Sequence, residues 1–142
     1  MRLLSIEAST LLAFGLLLAV AVIGALVRGG PVERRGAALF SAAWVTSLGA
    51  QALSGSPSPG LWLPIIDATV LAGLANLAWR SPRPWPVYAC GFQLLALAGD
   101  IAKWVEADLD VRLHLTLLAV MAFGAVAALA IGAWFPPKTA RE

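Results

Sequence analysis

Between Leu61 and Trp104 the sequence reads LWLPIIDATVLAGLANLAWRSPRPWPVYACGFQLLALAGDIAKW, two apolar runs that each carry tryptophan at both ends. Trp62 and Trp79 bracket the first run and Trp85 and Trp104 the second. That placing suits indole rings that settle at the two membrane–water boundaries, apolar body inward and N–H toward water. The intervening Arg80-Ser81-Pro82-Arg83-Pro84 cannot continue a helix, because each proline lacks a backbone donor and restricts the residue before it. The segment is therefore expected to be a transmembrane helical hairpin.

Three further runs have the same character. Ala8 to Val27 supplies about 20 mostly apolar residues, the length that crosses a hydrocarbon core of about 30 Å. A cleaved secretory leader is disfavoured there, since the basic stretch shrinks to Arg2, Glu7 follows, and the run exceeds the usual apolar region of about 7–15 residues. Ala37 to Leu53 is less apolar and holds Ser41, Thr46, Ser47 and Gln51, so it is expected to face protein more than lipid. Leu113 to Phe135 is long and strongly apolar, carries Trp134 near its end as a further interfacial anchor and is stopped by Pro136-Pro137. The connections are Arg28 to Gly36, rich in arginine, glycine and proline; Ser54 to Gly60, uncharged turn chemistry; and Val105 to Arg112, short and acidic. The expected fold is all-α, a polytopic membrane bundle of about five transmembrane helices over residues 8–27, 37–53, 61–79, 85–104 and 113–135, in a single domain covering 1–142.

Composition agrees with that class. Of 142 residues 60% are hydrophobic and only 13% charged, with a mean hydropathy of +0.83, far from the roughly 25% charged residues of soluble domains. The net charge of +2 and the pI near 9.2 do not indicate nucleic acid, because the basic residues are scattered over short loops and make no stripe. They read as topology signals. With the N-terminus outside, Arg28, Arg34, Arg35, Arg80, Arg83, Lys138 and Arg141 are cytoplasmic, against Arg2, Lys103 and Arg112 on the other side. The positive-inside rule thus favours an outside N-terminus and a cytoplasmic C-terminus. The acidic residues gather toward the outer face.

Catalytic signatures are absent. The chain has no glycine-rich phosphate loop, no nucleophile elbow, and no paired cysteine or histidine at metal-ligand spacing. Cys90, the sole cysteine, lies inside an apolar run and is expected to act as a small hydrophobe. What remains is a set of polar side chains at membrane depth: Asp67, Asn76, Gln93, Asp100, Lys103 and His114 form the candidate site. Asp67 and Asp100 lie a few residues inside Trp62 and Trp104, hence in the outer leaflet, and Lys103 is placed to pair with Asp100 on one helix face. His114 opens the last helix beside the acidic loop, either as a hydrogen-bonded interfacial group or in a proton or ligand role. Trp44 is the one tryptophan placed near the middle of a span. Core packing is its first reading and contact with a hydrophobic ligand such as a quinone or pigment its second. Small residues four apart, Ala21 and Ala25 in the first helix, Ala42, Thr46 and Ala50 in the second, and Gly124, Ala128 and Gly132 in the last, mark helix-packing seams.

At the hairpin, Ile66-Asp67-Ala68, Trp85-Pro86 and Gly91-Phe92-Gln93-Leu94-Leu95 together resemble a group of small multi-pass membrane proteins common in alphaproteobacteria, to which no activity is attached. The resemblance spans roughly the last two thirds of the chain. It implies a bacterial cytoplasmic (inner) membrane and carries over no functional residue. The resulting expectation is a non-catalytic accessory subunit packed against a larger respiratory or photosynthetic membrane complex, without cofactor of its own beyond contact with lipid, quinone or pigment. Two alternatives stay open: a small homo-oligomeric channel or transporter using Asp67 and Asp100, and a membrane enzyme or ligand-binding protein with a site under the outer face.

Overall fold

The computed structural model describes residues 2–55, 60–105 and 110–135, with side chains from Ser9 onward except those of Trp104 and Val111. These residues form five α-helices: α1 (Arg2–Val27), α2 (Pro31–Ser54), α3 (Trp62–Arg80), α4 (Trp85–Val105) and α5 (Val111–Trp134). Four of them, α1, α2, α3 and α5, are long and apolar enough to cross a membrane. The fourth helix in order, α4, spans 21 residues and interrupts its apolar run with Gln93, Asp100 and Lys103.

The largest departure from the sequence expectation is the start of α2. The expected loop over Arg28 to Gly36 shrinks to Arg28, Gly29 and Gly30, and the helix begins at Pro31, six residues before Ala37. Proline is suited to that first position, where its missing N–H is not needed and its φ is already helical. Glu33 then folds back so that its Oε2 accepts the Gly30 N–H at 2.8 Å, one half of a capping box. Arg34 closes the turn from the other side, donating from Nη2 to the Leu26 carbonyl at 3.2 Å and so satisfying a carbonyl at the end of α1. At its far end α2 stops at Gly55, whose φ of 64° is costly for any residue with a Cβ.

Each helix packs against the next, and α1 also packs against α5, so the five close into a ring, with α2 touching α5 across it. The inner faces meet in a core that includes Leu18, Phe40, Leu74, Val126 and Leu129. Ala21 and Ala25 are fully buried on α1 where it meets its neighbours. The outer wall is apolar instead of charged: Leu12, Leu16, Leu53, Val87, Leu94 and Ile131 are all exposed. A continuous surface of that kind is stable against hydrocarbon and not against water.

The glycines of α5 act differently from the expected backbone-to-backbone seam. A Cβ at Gly132 would collide with the Trp85 side chain, and one at Gly124 with the Phe92 ring. Trp85 and Phe92 are seven residues apart on α4 and fill two notches on α5, which is why α4 and α5 make the most extensive contact in the bundle. Ala128, between the notches, is partly buried against the core. The small-residue row of α2 also departs from expectation, since Ala42 and Thr46 face outward while Ala50 is half-buried.

Candidate functional site

Three helices bring polar side chains together at the end of the bundle opposite the arginine-rich turns. Asp67 lies five residues into α3, Asp100 five residues before the end of α4 and His114 three residues into α5, depths of roughly 5–8 Å along the axis at 1.5 Å per residue. Gln93, two turns before Asp100 on the same face of α4, donates from Nε2 to Asp67 Oδ1 at 2.8 Å and leans on the Asp67 carbonyl at 3.4 Å. His114 Nε2 stands 3.2 Å from Asp100 Oδ1. Gln93, Asp100 and His114 are buried, the last two only 5% and 4% exposed. The sequence nominated these residues one by one; the fold joins them as two ties, α3 to α4 and α4 to α5.

The ties are not fully satisfied. Asp100 Oδ2 and His114 Nδ1 are buried without a hydrogen-bond partner. Lys103 is half-buried one turn beyond Asp100, and its charge acts on His114. Asn76 does not belong to the site. It is exposed, nine residues further along α3, about 14 Å from Asp67 along the axis. Among the described residues no group of three or more histidine, cysteine or acidic side chains is placed to hold a metal ion. Glu106 and Asp108 of the acidic loop expected beside His114 lie outside the described residues.

The arginine-rich end holds a second buried ion cluster that the sequence did not reveal. Glu33, 1% exposed, takes the Trp85 Nε1–H on Oε1 at 3.2 Å, with Arg83 Nε 3.5 Å from the same oxygen. The expected interfacial tryptophans therefore divide. Trp62 and Trp79 stand out from the wall, Trp79 at 92% exposure, as interfacial anchors do. Trp85 is a correction: at 3% exposure it is core, held by its notch on α5 and by Glu33. Trp134 is half-buried, donating to the Val20 carbonyl at 3.2 Å, packing on Gly24 and lying 4.8 Å under the Arg28 guanidinium. The side chain of Trp104 lies outside the described residues.

Trp44 packs on Gly15 and Phe14, its ring centroid 6.2 Å from that of Phe14, which in turn meets Phe123 edge-on at 5.4 Å. Its environment is the protein's own aromatic cluster. Cys90 is half-buried in α4. No family model, curated protein or solved structure matches the chain.

Proposed function

We propose that this chain is a non-catalytic five-span bundle of the bacterial inner membrane, serving as an accessory subunit packed against a larger membrane complex of the respiratory or photosynthetic kind. The observation that carries this reading is where the intramembrane polar groups go. Asp67–Gln93, Asp100–His114 and Glu33–Trp85 all join helices of the same bundle, so they fix its shape, and of the candidate polar residues Asn76 is the one exposed on the outer wall. Away from Asn76 a partner would meet that wall by packing. The outward face of α2 suits it: Ala38, Ala42, Thr46 and Gly49 are exposed, and a Cβ at Gly49 would meet nothing within 4 Å. Thr46 Oγ1 already gives its proton to the Ala42 carbonyl at 2.7 Å, so the face offers close approach and no free hydroxyl donor. In this reading the N-terminus is outside and the arginine-rich turns are cytoplasmic. Purification from the native membrane in mild detergent tests it. A larger assembly with other membrane proteins is expected, and recovery only as a homo-oligomer would refute it.

A second reading, a small channel or transporter of protons or cations, is favoured by the buried and unpartnered Asp100 Oδ2 and His114 Nδ1. Fully structural networks ordinarily satisfy such atoms. Flux in proteoliposomes distinguishes it.

A further inference from the structure

An apolar cleft of about 390 Å³ runs between α4 and α5 on the outer wall, from Arg83 at the arginine-rich end down past Trp85, Tyr88 and Phe92, with Gly124 and Ala128 among its lining. Along α5 its lining runs from Gly124 to Gly132 and on to Phe135 just past the helix end, eleven residue steps or about 16 Å at 1.5 Å per residue. That is about half of a 30 Å hydrocarbon core, the depth of one leaflet. Past Ile131 and Phe135 a smaller cleft of about 280 Å³ continues toward Arg28. The cleft therefore has the depth of an acyl chain and opens where such a chain lies.

Its mouth is cationic and incompletely neutralised. Arg83 gives its Nε edge to Glu33, but Nη1 is buried without a hydrogen-bond partner, in a side chain only 16% exposed. Arg28, Arg34, Arg35 and Arg80 stand at the same end of the bundle, where among the described residues Glu33, in the first turn of α2, is the acidic one. A buried guanidinium N–H without an acceptor is costly, and a phosphate oxygen is a strong charge-assisted acceptor for a guanidinium. Basic pockets between transmembrane helices bind anionic lipid headgroups for this reason.

We infer that this cleft is a binding site for an anionic phospholipid, with its phosphate on Arg83 and an acyl chain lying between α4 and α5. A neutral quinone or a zwitterionic lipid would fill the apolar part and leave the surplus charge at the mouth. The inference needs the helices to cross a membrane and is independent of any accessory or transport role.

The test uses the full chain in a mild detergent, titrated with phosphatidylglycerol or phosphatidylcholine of identical chains and read by native mass spectrometry. Wild type is expected to retain phosphatidylglycerol about tenfold more tightly, a difference of about 1.4 kcal/mol. Arg83→Gln should reduce that retention to the phosphatidylcholine level. Ala127→Phe, which fills the cleft without touching Arg83 or Glu33, should weaken both lipids, and it decides the matter if Arg83→Gln fails to fold. Equal retention of the two lipids by wild type, undiminished selectivity in a folded Arg83→Gln, or unchanged binding in Ala127→Phe would overturn the inference. So would displacement of the lipid by millimolar inorganic phosphate, which would assign the site to the free anion.

Discussion

Glu33 Oε1 lies 3.2 Å from Trp85 Nε1, joining residues 52 positions apart in the chain. The other oxygen of the same carboxylate holds the Gly30 N–H at 2.8 Å. One buried side chain therefore fixes the first turn of α2, the end of the α1–α2 turn and the start of α4. Arg83 supplies the compensating charge from 3.5 Å, without which a carboxylate in this setting would be expensive.

Glu33→Ala should consequently be among the most destabilising single changes. It strands the Trp85 N–H and the Arg83 guanidinium together, at a cost of about 2–4 kcal/mol. Glu33→Gln keeps an acceptor for Trp85 and should lose less, about 1–2 kcal/mol. Thermal unfolding in detergent measures both, and an Ala variant as stable as wild type would show that the cluster does not hold the bundle together.

Trp85 sits between two glycines, and Cβ atoms on Gly36 of α2 and Gly132 of α5 would both collide with its ring. Gly36→Ala and Gly132→Ala are each expected to cost about 1–3 kcal/mol by overpacking. Gly91→Ala, on the same helix as Trp85 but with nothing within 4 Å, should instead be neutral or stabilising by up to about 1 kcal/mol through helix propensity. Equal effects at the three positions in an unfolding assay would contradict the notch geometry.

Gly49→Leu separates folding from assembly. Its Cβ points into open space, so the isolated protein should unfold at the wild-type temperature, whereas a neighbouring helix packed on Ala42, Thr46 and Gly49 would be pushed away. Loss of co-purifying proteins with unchanged stability is the expected result. Partner recovery equal to wild type would remove α2 as the docking face.

The helices were legible in the sequence because run length and punctuation decide them: apolar runs of spanning length, prolines at Pro82 and Pro84, and tryptophans at the ends of the α3 run. Less legible was what those residues do once the runs pack. Trp85 and Trp62 both open a helix, yet one is core and the other stands in the outer wall, and what separates them lies on other helices: Glu33 and Gly36 on α2 and Gly132 on α5. Glu33 itself was hidden in a stretch that reads as a loop, although Gly30-Pro31 followed by glutamate is a helix-start pattern that could have exposed it. Gln93 and Asp100 share a face by their spacing of seven, but no periodicity pairs one with Asp67 on α3 and the other with His114 on α5. Those partners depend on how α3, α4 and α5 are rotated in the ring.

Orientation is tested by accessible cysteines in a Cys90→Ala background. Ser54 and Pro82 are exposed at opposite ends of the bundle. With the arginine-rich turns cytoplasmic, Ser54→Cys should react with a membrane-impermeant reagent added outside and Pro82→Cys only after the inner face is opened. The reverse pattern would invert the topology and put Asp67, Asp100 and His114 in the inner leaflet.

The two readings of the polar cluster part at its carboxylates. Asp67→Asn keeps an oxygen for Gln93 Nε2, now 2.8 Å away, and Asp100→Asn keeps one for His114 Nε2, now at 3.2 Å. Both variants remove a charge that is costly at membrane depth. If the cluster only ties helices, both should assemble with wild-type stability or slightly better, and partner recovery should persist. Asp100→Ala differs, because it leaves the buried imidazole without its acceptor and should cost about 1–3 kcal/mol. Combined with His114→Ala in a double-mutant cycle, it should show a coupling of about 0.5–3 kcal/mol. A proton- or cation-exchanging site would behave otherwise, because an amide neither ionises nor replaces a carboxylate. Its Asn variants would fold normally and lose a flux that wild type shows in proteoliposomes. The accessory reading predicts no such flux in wild type, so a measured current abolished by Asp67→Asn or Asp100→Asn in a well-folded protein would refute it and establish transport at this site.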